Sequence, residues 1–455
     1  MKKTITTLLL LLSFFFGYSQ LDAYKLADYS QPEFYQKISR INPTASFNTF
    51  RNDLSISGNT SRKSNQTILP YTLSIQKYND KQQNTLIFRA RNETSFTSTS
   101  NQKTIRLGIS QSVGWDNRYF LNTADLFLGF EITQSSDVTY NELEQKQNAR
   151  FEVASKKIEA ITFNNVLIKV GKGRIQNLNE GRHALVILET ICKHSDLDRN
   201  TIMPQQVNAL ADKLGKIRNI RNTDFRLERN REIEVLFKYL KSVNLIMEED
   251  YYLFSKILDA FQFENFSSRR KGSDFNIGIG MKLDAAENHK NDISNNSDGY
   301  KKTASSSEVG PLAEISYNYY YPLSNNWQLN IENSASFGKT IRKTFNTNSS
   351  TQQDPREKII SVIDNSVEFN YLLNPRTNLI FSYTSRVSYI KDLLASFDNI
   401  GVLHSDRIGA YLEYYFSPWN TIDLDLVLRK NRGYKNRLEK NIQTDIIIST
   451  RYFFH

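Results

Sequence analysis

Hydrophobic and polar residues alternate along much of this chain. The last segment, Ile442 to His455, places Ile446, Ile448, Tyr452 and Phe454 on one face of an extended strand and mainly polar residues on the other. Side chains of a strand point alternately to its two faces, so this period of two predicts a strand. Thirteen further segments show the same period, near residues 52–61, 69–78, 84–97, 103–116, 122–134, 158–173, 275–283, 314–321, 327–337, 366–371, 379–389, 407–416 and 422–429. The pattern therefore predicts about fourteen strands, within a range of roughly 12 to 16.

The connections between the later segments alternate strictly in length. Residues 322–326, 374–377 and 417–421 are short and turn-like. The intervening connections are long and polar, at residues 287–306, 343–357, 391–404 and 431–440. Transmembrane barrels of the bacterial outer membrane have short periplasmic turns and longer external loops, whereas a soluble sandwich has no reason to sort its loops in this way.

The closing strand with its late aromatic residues, together with the alternating connections, resembles the outer-membrane β-barrel proteins of bacteria. The resemblance covers most of the chain, rests on architecture, and points to no characterised subfamily. It implies a mainly β fold, a transmembrane antiparallel β-barrel in contact with outer-membrane lipid. It also implies that Ile446, Ile448, Tyr452 and Phe454 form the signal read by the β-barrel assembly machinery.

The N-terminus predicts export. Lys2 and Lys3 precede an apolar run, and small residues follow at Gly17 and Ser19, so residues 1–19 are expected to form a cleaved signal peptide. We expect residues 20–50 to form an N-terminal periplasmic segment ahead of six strands in residues 51–175. The single cysteine, Cys192, is expected to be a small buried residue, and no intrachain disulfide can form.

Between residues 176 and 265 the apolar period changes from two to 3.6, which predicts four helices. We expect the first to begin after Asn179 as N-cap and the second near Pro204. The third is expected to begin near Thr223 or Asp224, and the fourth carries Phe254, Ile257, Leu258 and Phe261 on one face. This small all-α insert separates the sixth strand from the seventh, and residues 266–455 supply strands seven to fourteen.

The insert joins two strands at the end of the barrel that carries the short turns, so it is expected in the periplasm. Its polar faces are basic, with acidic residues interspersed, which is typical of a solvated helix surface with i,i+4 pairs. A second interpretation is a docking surface for a periplasmic protein, peptidoglycan or inner-leaflet head groups. That candidate partner surface comprises Lys213, Lys216, Arg218, Arg221, Arg226 and Arg229.

The formal net charge of +10 favours contact with anionic lipid heads or glycans, because nucleic-acid binding is an improbable use of it in an exported protein. Both signs of charge recur on the strand faces opposite the apolar ones. Such mixed charges can narrow a pore or line a hydrated, weakly selective channel. The lumen-facing charges are expected to be Arg89, Arg91, Glu93, Arg106, Glu131, Lys169, Lys282, Glu314, Glu332, Glu368, Arg386, Arg407, Glu413, Asp423, Asp425, Arg429, Asp445 and Arg451.

The sequence offers little catalytic chemistry. The histidines have no metal-binding spacing, so we expect no metal site and no cofactor. His404, Ser405 and Asp406 are the residue types of a hydrolytic triad, but neighbouring strand residues point to opposite faces. Residues 171–174 resemble part of a phosphate loop but lack its Lys-Ser/Thr ending, and a tight exit relieved by glycine explains them more simply.

Two functions remain open from the sequence. The first is a channel or uptake pore for a small solute, porin-like, whose helical insert gates or plugs the periplasmic mouth. The second is a non-transporting envelope anchor or assembly partner that presents the insert to periplasmic proteins or peptidoglycan. An outer-membrane lipid hydrolase that uses His404 is a remote third interpretation, so we expect a protein that is not an enzyme.

Overall fold

The structure is a computed structural model. It describes residues 24–41, 44–52, 60–98, 102–121, 125–147, 150–195, 197–218, 220–221, 225–246, 250–262, 269–292, 300–346, 352–374, 376–392, 400–417, 420–435 and 441–454. The expected signal peptide lies outside these residues.

One sheet dominates the described part of the chain. Its strands are β1 (Phe34–Ile41), β2 (Thr44–Asn52), β3 (Thr60–Tyr78), β4 (Gln82–Ser98), β5 (Gln102–Phe120), β6 (Leu126–Gln147), β7 (Arg150–Asn177), β8 (Ile220–Arg221), β9 (Arg270–Asp292), β10 (Tyr300–Pro322), β11 (Trp327–Asn346), β12 (Gln352–Asn374), β13 (Thr377–Asp392), β14 (Ile400–Ser417), β15 (Asn420–Lys435) and β16 (Asn441–Phe454).

The long strands follow one another as an antiparallel meander. From β3 to β16 each long strand pairs with the next long strand in the chain, and β7 pairs with β9 across the helical insert. β1 pairs with Tyr71–Tyr78 of β3 and β2 with Thr60–Ile68, so these two short strands together occupy one further position. The predicted antiparallel barrel of about fourteen strands is confirmed.

The structure corrects the predicted beginning of the barrel. Residues 34–41 and 44–52 pair with the sheet, where the sequence predicted a segment ahead of the barrel. β3 runs unbroken from Thr60 through the predicted second strand. Most of the predicted first strand lies outside the described residues. β1 was missed because Phe34 and Tyr35 face opposite ways and polar residues follow on both faces, so neither face is apolar.

The long polar connections were also predicted too long. β9 continues to Asp292 and β10 begins at Tyr300, and β12 and β14 similarly begin inside segments that were predicted as loops. These hairpin ends are polar on both faces, as in Glu287–Asp292, so their sequence carries no strand signal although the backbone ladder continues. The short turns and the insert all lie at the same end of the sheet, which is called the insert end below.

The outer face of the sheet is apolar. On β9 the side chains of Phe275, Ile277, Ile279, Met281 and Leu283 are 41 to 66% exposed. Cross-strand neighbours extend this band, and the span from Phe275 to Leu283 matches the roughly 9 to 11 residues of a transmembrane strand. Near the insert end the band finishes in exposed tyrosines, including Tyr119, Tyr317, Tyr321 and Tyr414.

Four helices form the insert between β7 and β9, as predicted. They are α1 (Asn179–His194), α2 (Pro204–Arg218), α3 (Phe225–Ser242) and α4 (Tyr251–Gln262). The predicted N-cap at Asn179 is wrong. Leu178 precedes the helix without a capping side chain, and the Asn179 side-chain oxygen instead accepts a hydrogen bond from the Arg269 backbone N–H. No helix in the described part of the chain is long and apolar enough to cross a membrane.

The insert has a core of its own, and the N-terminal segment completes it. Leu188, Leu210, Leu236 and Ile257, one from each helix, are fully buried together. Residues 24–31, called the strap below, add Tyr24, Leu26 and Tyr29 to the same core. Each fully buried side chain of this size contributes about 1.5 to 3 kcal/mol relative to an exposed one. The helices and the strap therefore form one packed unit.

Candidate functional site

The inner face of the barrel encloses a cavity of about 700 Å³. Its walls come from β5, β6, β7 and every strand from β9 to β15, so the sheet curves around a common lumen. The lining residues are Arg118, Glu131, Lys169, Asn276, Glu314, Ser316, Asn318, Glu332, Asn333, Ser334, Asp364, Asn365, Ser366, Thr384, Ser385, Arg386, Ser405, Arg407, Arg429 and Asn431.

Seven of the predicted lumen charges line this cavity: Glu131, Lys169, Glu314, Glu332, Arg386, Arg407 and Arg429. Others lie away from it, on the strand faces opposite the exposed apolar residues, at Arg89, Arg91, Glu93, Arg106, Lys282, Glu368, Glu413 and Asp425. The side chains of Asp423, Asp445 and Arg451 are outside those described. Sequence reasoning missed Arg118 and Asp364, although their alternation with apolar neighbours was the available signal.

Two cations, the partly buried Arg118 and the buried Lys169, join strands that are not neighbours. Arg118 of β5 forms an ion pair with Asp274 of β9, passing over β6 and β7, and also contacts Asp116. The Lys169 ammonium pairs with Glu131 and lies 3.6 Å from Glu314 on β10. Both sets of contacts lie in the half of the barrel nearer the insert end.

Lys169 reaches β10 because the strand between carries a glycine. Gly278 of β9 is the register partner of both Lys169 and Glu314. A Cβ at Gly278 would stand 3.2 Å from Cγ of Lys169, so the missing side chain leaves the path along which the lysine lies. Gly278 lies on the same face of β9 as Asn276, which lines the cavity, but only the strand register reveals this use.

Amide groups continue the polar network beside these ion pairs. The Gln328 amide donates to the Arg270 carbonyl and to Asn330, and Asn330 donates to Glu368. The Tyr320 hydroxyl donates to Glu332 at 2.6 Å. Buried polar side chains in such a network hold each other in place, so the lumen near the insert end has a fixed lining.

The insert contacts the barrel end at separated places around its rim. Arg182 of α1 donates to the Asn325 carbonyl at 2.8 Å, and Arg269 donates to the Asn326 carbonyl at 2.6 Å, both in the β10–β11 turn. Asp259 of α4 forms an ion pair with Arg376 in the β12–β13 turn. On the other side, β8 pairs in parallel with Lys37 and Ile38 of β1.

The strap fills the space between insert and barrel. Asn325 accepts a hydrogen bond from the Leu26 backbone N–H at 3.0 Å and donates one to the Tyr24 carbonyl. The Lys271 ammonium donates to the Ala27 carbonyl at 2.9 Å. The Gln31 side-chain oxygen accepts from the Asn177 backbone N–H. The strap is thus bound to both partners by polar contacts and by its buried aromatic rings.

This junction also contains two neighbouring positive charges. Arg269 is fully buried, and burial together with the charge of Arg182 lowers the pKa of Arg269 well below its usual value. Burial lowers the pKa of Arg182 to about 10. Glu189 interacts electrostatically with Arg182. The Nε and Nη1 atoms of Arg269 have no hydrogen-bond partner among the described residues, and a buried unpaired charge costs several kcal/mol. Apolar packing and hydrogen bonds to backbone carbonyls therefore hold the junction together, and they must outweigh the electrostatic cost of the buried charge.

The insert has an apolar groove on its outer side. It measures about 770 Å³ between α3 and α4 and is lined by Ile233, Phe237, Ile246, Leu253, Phe254 and Leu258, with Lys238, Lys241, Glu234, Asp250 and Tyr251 at its rim. Of the predicted basic partner surface, Lys213 and Lys216 do not line this groove. Lys213 is half-buried beside the Tyr239 ring, and Lys216 pairs with Asp212. The side chains of Arg218, Arg221, Arg226 and Arg229 are outside those described.

The histidine chemistry expected at residues 404–406 takes a different form in the structure. His404 and Asp406 share a strand face, and Ser385 of β13 lies beside them. Both Ser385 Oγ and Asp406 Oδ1 approach the same ring nitrogen, Nε2, at 3.3 and 3.0 Å. A triad needs the serine and the carboxylate on different nitrogens, so this arrangement does not relay a proton. The described residues contain no cluster of three metal-ligating side chains.

The glycines at 171–174 serve the backbone. Gly173 has a φ of +114°, and a Cβ there would stand 2.0 Å from the Ser273 carbonyl oxygen. Gly272, across the ladder, has a φ of +107°. These values agree with the tight exit into the insert that the sequence predicted.

No family model and no curated protein matches the chain. Among solved structures it is similar to the translocator domain of the autotransporter NalP from Neisseria meningitidis, with 10% identity, coverage of 86% of this chain and 91% of that one, and a TM-score of 0.29. It is also similar to the monoaromatic hydrocarbon channel CymD (9%, coverage 94% and 90%, TM-score 0.31) and to the toluene transporter TbuX from Ralstonia pickettii (7%, 95% and 92%, 0.31). Likenesses this distant support no transfer of function.

Proposed function

We propose that this protein is an outer-membrane channel for a small solute whose periplasmic mouth is covered by its own helical insert. The observation that carries the proposal is the attachment of the insert to separated points of one barrel rim, at β1, the β10–β11 turn and the β12–β13 turn. A unit bound on both sides of a rim lies across the opening between them. The polar cavity behind it is the proposed solute path.

The apolar outer band supports the membrane location. Its side chains are exposed in water but would be buried in lipid, and large exposed apolar surfaces of this kind mark contact with a membrane or another protein. The polar lumen and the tyrosines near the insert end fit the arrangement of transmembrane barrels. The insert end is then periplasmic, and export by the N-terminal signal peptide belongs to the same proposal.

Removal of the insert tests the channel. Asn177 and Arg270 are cross-strand partners, so residues 178–269 can be replaced by Asn-Gly, a two-residue hairpin turn. We expect the shortened barrel to show conductance in planar bilayers where the full chain shows little. A barrel of about fourteen strands is wide enough for a narrow channel. No conductance in either form would refute the proposal.

A matched control shortens the opposite end. Asp292 and Tyr300 are also cross-strand partners, so replacing residues 293–299 by Asn-Gly removes a connection without touching the insert. This control should conduct as the full chain does. If the control conducts as strongly as the variant without the insert, the conductance comes from damage to the barrel and not from removal of the insert.

The groove between α3 and α4 favours a second candidate function, the presentation of the insert to a periplasmic protein. Tyr251 at its rim is 84% exposed and Phe254 37% exposed, which is unusual for aromatic side chains of a closed helical unit. Such apolar grooves receive amphipathic helices of partners. The predicted basic residues Lys213, Lys216, Arg218, Arg221, Arg226 and Arg229 are a second proposed contact for such a partner or for peptidoglycan.

Pull-down after mild cross-linking tests this second candidate. We expect Phe254→Asp to remove a co-purifying periplasmic protein, because a carboxylate in the groove must be desolvated when a helix binds. Met203→Asp, at a 63% exposed position outside the groove, is the matched control and should retain it. Charge reversal at Arg218, Arg221 and Arg229 tests the basic contact separately. Equal recovery with all variants would exclude the candidate.

A further inference from the structure

Six of the nine charged residues on the cavity wall are sorted by sign along the order of the strands, whereas the signs of Arg118, Glu131 and Lys169 alternate on β5, β6 and β7. Glu314, Glu332 and Asp364 come from the successive strands β10, β11 and β12, whereas Arg386, Arg407 and Arg429 come from the next three, β13, β14 and β15. The sequence predicted mixed charges in the lumen, but only the strand order shows that one side of this cavity is acidic and the adjoining side basic.

The carboxylates of the acidic side have hydrogen-bond or ion-pair partners on other parts of the barrel. Glu332 accepts a hydrogen bond from Tyr320, and Glu314 lies 3.6 Å from the Lys169 ammonium. Asp364 lies 3.6 Å from Arg386, across the boundary between the two sides. A solute cation would have to compete with these partners.

The basic side has carboxylates nearby but fewer hydrogen bonds than the acidic side. Arg407 and Arg429 are direct cross-strand partners on the lumen face, and like charges placed opposite each other are destabilising. Asp364 lies 3.6 Å from Arg386 and Asp425 lies 3.9 Å from Arg407, and Asp445 is the backbone register partner of Arg429 on β16. None of the three arginine side chains forms a hydrogen bond with any other part of the described chain.

We propose that Arg407 and Arg429 bind the oxyanion of a small solute, a carboxylate or a phosphate, with Arg386 as a third contact. Two guanidinium groups on neighbouring strands present planar sets of N–H donors that match such oxygens in pairs, and a bound anion relieves their mutual repulsion. The cavity of about 700 Å³ has room for a small anion and its water. This inference deepens the proposed channel by naming its solute class.

Calorimetric titration of the full chain, refolded in detergent at low ionic strength, tests the proposal. The probes are succinate, inorganic phosphate and the uncharged succinamide. We expect one or both oxyanions to bind and succinamide not to. The double variant R407Q/R429Q should weaken oxyanion binding by roughly tenfold or more, since hydrogen bonds between charged groups are the strong ones. The oxyanion affinity of R407K/R429K should lie between those of the full chain and R407Q/R429Q, because lysine keeps the charge but loses the paired donors.

The matched control is R89Q/R91Q, which removes two lumen-facing arginines from β4 outside the cavity. It should bind like the full chain, and the heat-dependent gel shift of the folded barrel confirms that each variant assembles. Absence of oxyanion binding by the full chain, or equal binding by R407Q/R429Q, would overturn the inference. Calorimetry measures binding and does not depend on transport. If the barrel binds the oxyanion but never conducts, the proposed channel is refuted while the proposed binding site is retained.

Discussion

Tyr29→Ala is expected to release the insert from the barrel. The Tyr29 ring is 1% exposed and packs against Gly181 of α1, where a Cβ would stand 2.8 Å from the ring. Truncating a buried aromatic side chain costs about 3 to 5 kcal/mol. The strap loses its largest apolar contact, so the opened population of the insert should rise by roughly 100-fold or more.

Cys192 provides the measurement because it is the single cysteine of the chain. Cys192 is only partly buried, where the sequence predicted a buried residue, but it packs against the insert core and burial raises the pKa of its thiol, which disfavours the reactive thiolate. Alkylation of Cys192 should therefore be slow in the full chain and much faster in Tyr29→Ala. An unchanged alkylation rate would show that the strap does not hold the insert.

Tyr29→Phe is the matched control for this prediction. Burial raises the pKa of Tyr29, and its hydroxyl has no hydrogen-bond partner in the described structure. Removing an unpaired buried hydroxyl should leave the stability unchanged or raise it by up to about 1 kcal/mol. A loss as large as that of Tyr29→Ala would mean that the hydroxyl, and not the ring, makes the important contact.

Gly173→Ala is expected to prevent correct pairing of β7 with β9. The positive φ of Gly173 disfavours any side chain, at a cost of about 1 to 3 kcal/mol, and the added Cβ would meet the Ser273 carbonyl at 2.0 Å. That carbonyl belongs to the backbone and cannot move aside without breaking the ladder. The insert begins and ends where β7 and β9 pair. Loss of this pairing should therefore disturb the folding of both the barrel and the insert.

The yield of heat-modifiable folded barrel after refolding measures the effect of Gly173→Ala. Gly114→Ala on β5 is the control, because a Cβ there meets nothing within 4 Å. We expect a normal yield for Gly114→Ala and a severe loss for Gly173→Ala. Equal yields would show that the exit from β7 tolerates a different backbone path.

The strands and helices that could be predicted are those with a one-sided apolar pattern. β9 alternates cleanly from Phe275 to Leu283, because one face is exposed outside the sheet and the other faces the lumen. The four insert helices were equally clear, because each buries one stripe in a common core. β1 was missed because neither of its faces is apolar, and its place depends on pairing with β3.

The contacts of the candidate site could not be predicted for a different reason. Arg118 and Asp274 are 156 positions apart in the chain, and their pairing depends on strand curvature and register. The strap lies in the insert core although more than a hundred residues separate Tyr29 from α1. Local patterns assign faces to residues, but the neighbours of a residue across the lumen follow only from the assembled sheet.

Single-channel recording in planar bilayers tests the central claim, that the insert covers the mouth of a conducting barrel. The full chain, Tyr29→Ala and the variant with residues 178–269 replaced by Asn-Gly are compared in the same membrane. We predict that the full chain is mostly silent, that Tyr29→Ala opens intermittently, and that its openings have the step size of the shortened barrel because the lumen is the same. A silent shortened barrel, or a full chain that conducts equally well, would contradict the account.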